Sequence, residues 1–216
     1  VYLVCKYHLS FQFEGILNAM YVREFLVLSH EDGSVKALKG SQVVWDRPVR
    51  GEVGESITAL GMDASGHLII GREGYALVDG EEEALEMETW CLNGQGLLFR
   101  CDLKTRLTHI TPGLGSVVCG FDNGNVTHYK DNEHQELLNT GFAVQSLMVR
   151  QNHVVVSSWF YLLGVEEGKE PWKIEHQGMP MLLESSNDGS VCFFAGEDQN
   201  DWTEPEPIGF FSLESE

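Results

Sequence analysis

Positive charge is what this chain has least of: 14 Lys and Arg face 33 Asp and Glu across 216 residues, a formal net charge of −19. A surface that binds nucleic acid by neutralising phosphates needs clustered Lys and Arg, so that class is excluded, and an anionic bilayer repels such a chain. Paired cysteines are also missing. Cys5, Cys91, Cys101, Cys119 and Cys192 show no C-x-x-C spacing for a zinc site or a dithiol centre. Most sit in apolar runs such as Val117-Val118-Cys119 and read as buried thiols, which suits a reducing, cytoplasmic setting. No apolar run approaches the ~20 residues of a transmembrane helix. The chain starts at Val1, which fits a processed protein or a domain cut from a longer one, and no signal-peptide pattern decides between them. The sequon Asn125-Val126-Thr127 is a single chance-level match and carries no weight.

Helix-period patterning is nearly absent as well. Instead, β-branched and aromatic residues cluster in runs of about four to six, separated by turn residues, with Gly at 23 positions supplying many of the turns. The fold class is therefore all-β. Laid against itself, the chain shows a unit of an alternating strand, a short turn, a hydrophobic strand, a Gly turn and further strands.

Five copies are traced, all within one domain spanning 1–216. The first has Ile16–Val22, Phe25–Ser29, the turn His30–Ser34, Val35–Leu38 and Val43–Asp46. The second has Ile57–Met62, a turn at Asp63–Gly66, His67–Gly71, a turn at Arg72–Gly74, Tyr75–Val78, and an outer strand between Ala84 and Asp102. The third has Leu107–Thr111, Ser116–Phe121, the turn Asp122–Asn125, Val126–Tyr129 and Glu136–Asn139. The fourth has Val144–Val149, His153–Ser158, Phe160–Leu163 and Trp172–Ile174. The fifth has Met181–Glu184, Ser190–Ala195 and Ile208–Leu213, without an outer strand. Starts at Ile16, Ile57, Leu107, Val144 and Met181 recur every 37 to 50 residues, the length of a four-stranded unit with its loops.

A hairpin-connected four-stranded sheet cannot cover both of its faces alone, whereas sheets packed around an axis cover one another. The expected architecture is a β-propeller of about five four-stranded blades. The orphan segment Val1–His8 precedes the first unit and the last unit lacks a strand, so pairing the two closes the ring. The stretch Trp90–Leu103 is open to a second reading as an extra hairpin between the second and third blades.

Residues 25–49, FLVLSHEDGSVKALKGSQVVWDRPV, resemble the blades of quinoprotein-like and WD-repeat propellers, and residues 116–129, SVVCGFDNGNVTHY, are similar in the same way. Trp45 and Trp172 match the outer-strand tryptophan of that superfamily, and Trp45-Asp46 is the one Trp-Asp pair. The resemblance implies a propeller, and also leaves open a fragment of a seven- or eight-bladed ring. Quinoprotein dehydrogenases of the superfamily carry pyrroloquinoline quinone and calcium; the adjacent cysteines of that site are lacking here, so no cofactor is expected.

Several polar clusters have a ligand reading beside a plainer one. His30-Glu31-Asp32 offers ligands or acid–base groups, but Asp and Gly are also what a strand-to-strand turn asks for. Asp122-Asn123-Gly124-Asn125 lacks the alternating carboxylates and distant Glu of a calcium loop and reads as a turn. The eight histidines are spread without ligand spacing, so no metal is expected. Ser157-Ser158 lacks a nucleophile-elbow context. Glu81-Glu82-Glu83 reads as a solvated loop. The segment Gly196–Pro207 differs: it is longer than the other turns and combines five acids with Trp202.

Charge is also uneven, from six basic against five acidic residues over 1–50 to two against thirteen over 165–216. In a propeller, the turns between second and third strands gather with the inter-blade connectors on one face. That face is expected to hold Glu31, Asp32, Glu73, Asp122, Trp159, Glu197, Asp198, Asp201 and Trp202. Acids with tryptophans suit a cationic ligand through Coulomb attraction and cation–π contact. The leading expectation is a non-catalytic module that binds a basic protein or peptide. The alternatives are a small-molecule or sugar-processing enzyme with paired carboxylates or a His–carboxylate pair in a central channel, a segment of a larger assembly, and acidity that serves only solubility.

Overall fold

The structure is a computed structural model that describes residues 15–47, 49, 54–77, 81–94, 96–131, 133–166, 169–175, 179–185, 191–197 and 208–212. All regular structure there is antiparallel β, in sheets that follow the chain. The first comprises β1 (Ile16–Val22), β2 (Phe25–His30), β3 (Val35–Lys39) and β4 (Gln42–Arg47). The second comprises β5 (Glu55–Met62), β6 (Leu68–Leu77), β7 (Glu81–Cys91) and β8 (Gly96–Asp102). The third comprises β9 (Leu107–Gly113), β10 (Ser116–Phe121), β11 (Asn125–Lys130) and β12 (Glu133–Asn139). The fourth comprises β13 (Ser146–Arg150), β14 (His153–Ser158), β15 (Tyr161–Glu166) and β16 (Trp172–Glu175). A three-stranded sheet of β17 (Met179–Ser185), β18 (Val191–Glu197) and β19 (Ile208–Ser212) follows. No helix among the described residues is long and apolar enough to cross a membrane.

The period of two in the sequence becomes a period of two between cores. Along β6, Leu68 and Ile70 point into a cluster with Val22, Phe25, Val27, Val35 and Ala37 of the first sheet, while Ile69 points the other way toward Leu107, Val117, Cys119 and Phe121 of the third. Along β10, Val117 and Cys119 face the second sheet and Val118 faces Val154 and Val156 of the fourth. Val155 of β14 turns to Leu183 of β17. The middle strands β6, β10 and β14 are thus covered on both faces, which is why they read as near-continuous apolar runs. The innermost strands β1, β5, β9, β13 and β17 each lie against the next. Side-chain to main-chain bonds tie them: Thr111 Oγ1 donates to the Leu147 carbonyl at 3.1 Å, and the Leu183 amide donates to Ser146 Oγ at 3.1 Å. The arrangement is propeller-like.

The second sheet corrects the sequence reading. Arg72–Gly74 is not a turn: β6 runs on to Leu77, and Glu81–Glu83 belongs to β7, paired with Tyr75–Leu77 instead of looping into solvent. The outer strand is β8, so Trp90–Leu103 holds the ordinary third-to-fourth hairpin and no extra one. The charges at Arg72 and its neighbours look like turn chemistry because their partners are distant in sequence. Arg72 Nε donates to Glu55, Arg72 Nη1 lies 2.5 Å from Glu86, and Arg47 Nη1 and Nε lie 2.6 and 2.7 Å from Glu55 and Glu88.

Candidate interaction surface

Among the described residues the β2–β3, β10–β11 and β14–β15 turns each meet the start of the next strand or an inter-sheet connector. Gly33 and Gly124 show why the Asp-Gly and Asn-Gly turns are needed. Both have φ above +80°, and a Cβ would stand 2.4 Å from the Glu55 carbonyl at Gly33 and 2.6 Å from the Phe142 carbonyl at Gly124. The β2–β3 turn is thereby pressed against the start of β5, and the β10–β11 turn against the connector between β12 and β13. Backbone bonds repeat the pattern, with Thr140 N donating to Gly124 O at 3.0 Å, Val144 N to Phe121 O at 3.1 Å, and Gln145 N to Ser157 O at 2.9 Å.

Five of the nine expected residues have described side chains. Glu31 and Asp32 are exposed on the β2–β3 turn. Asp32 Oδ1 accepts the Ser34 amide at 2.9 Å, and the bonds from Ser34 hold its carboxyl below the usual range. Glu73 is largely withdrawn and faces Arg106 Nε at 3.2 Å, so its charge is already answered. Asp122 is exposed and accepts the Thr105 hydroxyl at 2.5 Å. Trp159, between β14 and β15, is 46 % exposed. Glu197 ends β18, with its side chain outside the described residues, as are Asp198, Asp201 and Trp202 altogether.

Phe142 is the residue the sequence reading missed. It sits in the β12–β13 connector, 46 % exposed, with its ring stacked on Trp159 at a centroid distance of 5.2 Å and an interplanar angle of 19°. Its only sequence signal is an aromatic directly after Gly141 in a polar connector. Phe160 meets Trp159 edge-on at 5.4 Å.

Two His–carboxylate contacts occur among the described residues. His67 Nδ1 lies 2.8 Å from Asp63 Oδ2 in the turn between β5 and β6, where Asp63 also caps the His67 amide at 2.8 Å. His153 Nε2 lies 3.2 Å from Glu166, which also holds Lys169 at 2.7 Å. Both brace hairpins. No group of three or more His, Cys, Asp or Glu arranged to hold a metal ion occurs among the described residues.

Among the described residues the densest ionisable cluster joins Arg47, Arg72 and Arg100 to Glu55, Glu86 and Glu88, with Trp90 Nε1 donating to Glu88 at 2.8 Å. Three cations balance three anions in a largely dry seam between the first two sheets, which suits holding those sheets together. Wedge-shaped grooves open between outer strands, about 530 Å³ between the second and third sheets and about 610 Å³ between the third and fourth.

No protein-family model and no curated protein matches the chain. Among solved structures it is similar to the computationally designed Ika8 protein, at 14 % identity and a TM-score of 0.54, over 92 % of this chain and 71 % of that one. A likeness at that identity concerns the fold alone.

Proposed function

We propose that the chain is a non-catalytic interaction module of the cytoplasm whose turn-and-connector face takes a basic protein or peptide. The stacked, half-exposed Phe142–Trp159 pair carries this reading. Large aromatics are left at the surface of a chain of net charge −19, and Glu31, Asp32 and Asp122 are exposed carboxylates on turns between second and third strands, which the reading gathers on the same face. Asp198, Asp201 and Trp202, in the β18–β19 connection, extend the same face in this reading, and Glu197 leads into it.

The reading includes a ring of five blades closed by residues 1–8 pairing along β19, in keeping with the resemblance of residues 25–49 and 116–129 to quinoprotein-like and WD-repeat blades. Leu28 and Leu38 support closure. They lie on the face of the first sheet turned away from the second, yet are 3 % and 1 % exposed. That is the face on which a closed ring sets the last blade.

The test is titration of the full chain with a fluorescent peptide of alternating basic and small residues at increasing salt. Affinity falls steeply between 50 and 300 mM salt, conditions spanning about 14 to 6 Å of Debye length. The triple variant Glu31→Gln, Asp32→Asn, Asp122→Asn weakens binding while leaving the melting temperature in place. Salt-insensitive binding, or none, rejects the reading.

A further inference from the structure

We infer that the Phe142–Trp159 pair is a preformed platform for an arginine guanidinium, and therefore that the face prefers arginine-rich over lysine-rich partners. This rests on the reading of the face as a site for basic chains and adds the group it selects.

The pair is held in place by its own backbone and by the loops around it. Trp159 has φ of +53°, a left-handed conformation that Gly or Asn would take more cheaply than a bulky residue. The connector carrying Phe142 is stitched to the turn carrying Trp159. Ser158 Oγ donates to the Phe142 carbonyl at 2.9 Å, Thr140 Oγ1 donates to the same carbonyl at 2.5 Å, and Gln145 N donates to Ser157 O at 2.9 Å. Thr140 and Ser158 are themselves buried. The two rings are held stacked and nearly parallel before any ligand arrives, which removes ordering cost from binding.

The chemistry of the exposed rings favours a planar cation. The stacked rings cover each other's inner faces, and with 46 % of each residue in water an outer, electron-rich ring face stays open in an acidic molecule. An ammonium is a compact ion that keeps its water, whereas a guanidinium is planar, weakly hydrated on its faces and stacks on aromatics. The β10–β11 turn that carries Asp122 abuts the Phe142 connector, so the neighbouring loop adds negative charge to the region. The same sheet already holds a cation on a ring: Lys173 Nζ sits 3.4 Å from the centre of the Tyr161 ring.

The experiment compares an Arg-Gly repeat peptide with a Lys-Gly repeat of equal length and charge on the full chain at one ionic strength, by calorimetry. The Arg peptide binds roughly three- to tenfold more tightly. Trp159→Asn, which suits the left-handed backbone, and Phe142→Leu each bring the two affinities together while retaining the binding both peptides share. Equal affinities for the unaltered chain overturn the inference and leave the charged face standing, as does an arginine preference that survives Trp159→Asn. Failure of both peptides to bind overturns the face and the inference together.

Discussion

Arg47 Nε donates to Glu88 Oε2 at 2.7 Å across the boundary between the first and second sheets, with both side chains closed off from water. Burial alone pushes an arginine's pKa down; here the hydrogen bonds to Glu88 and Glu55 outweigh it and hold Arg47 above its usual range. Removing one partner strands the other in a dry seam. Arg47→Met is expected to destabilise the fold by about 3–5 kcal/mol, and Glu88→Gln, which keeps the shape and loses the charge, by a smaller amount. Urea denaturation followed by far-ultraviolet circular dichroism measures both. A loss of less than about 1 kcal/mol for Arg47→Met would mean that the seam is solvated.

Close approach between inner strands makes a second prediction. A Cβ on Gly61 of β5 would lie 2.3 Å from Ile110 Cγ2 and 2.9 Å from the Ile110 carbonyl of β9, and a Cβ on Gly113 would lie 2.2 Å from Val149 Cγ1 of β13. Gly61→Ala meets backbone, which yields little, so it should cost about 1–3 kcal/mol. Gly61→Ala with Ile110→Ala deletes the Cγ2 that the new methyl meets, so the double variant should cost less than the sum of the two single losses. Denaturation midpoints of the single and double variants decide it; additive effects argue against direct contact.

The sheets were legible because burial on both faces writes itself into consecutive residues. Val117-Val118-Cys119 and Val154-Val155-Val156 need no partner knowledge to be read as covered strands. The second sheet resisted because its inner chemistry is ionic. Arg72 answers Glu55 seventeen residues back and Glu86 fourteen ahead, separations that no local pattern encodes. Trp159 was readable from its turn, but Phe142 becomes its partner only when the connector leading into β13 lies beside the end of β14. Glu73 failed differently: the turn that was to display it is strand, and Arg106 takes its carboxylate.

Acid weakens this fold through two histidines before the carboxylates titrate. Burial holds His109 below its ordinary 6.5, and burial followed by the nearby Lys130 charge does the same for His128. A folded pKa below the unfolded one means the unfolded chain takes up protons first. Stability is therefore full above about pH 6.5 and is lost as pH falls toward the folded values, with a slope of up to about 1.4 kcal/mol per pH unit for each proton. Asp32, held low by Ser34, adds its loss only below its ordinary 3.8. His109→Gln, which keeps a donor beside Thr108, should flatten the pH 7 to 5 segment of the urea-midpoint curve. An unchanged slope rules His109 out as its source.

Ring closure makes the most demanding prediction, because it concerns which strand completes the last sheet. Within the described residues β19 pairs with β18 along one edge and with no strand along the other, an edge that invites pairing with any extended chain. If residues 1–8 fill it, their deletion removes about four main-chain hydrogen bonds, each contributing about 1 kcal/mol net, and uncovers the first-sheet face that holds Leu28 and Leu38. The shortened chain should unfold at lower urea, bind a hydrophobic dye, and regain its midpoint when a peptide of residues 1–8 is added in excess. A peptide with Tyr2 and Val4 replaced by Lys should not restore it, since alternate positions of the added strand face the blade interior. A deletion that leaves the midpoint where it was removes closure by this segment, and with it the argument that the five sheets form one complete ring.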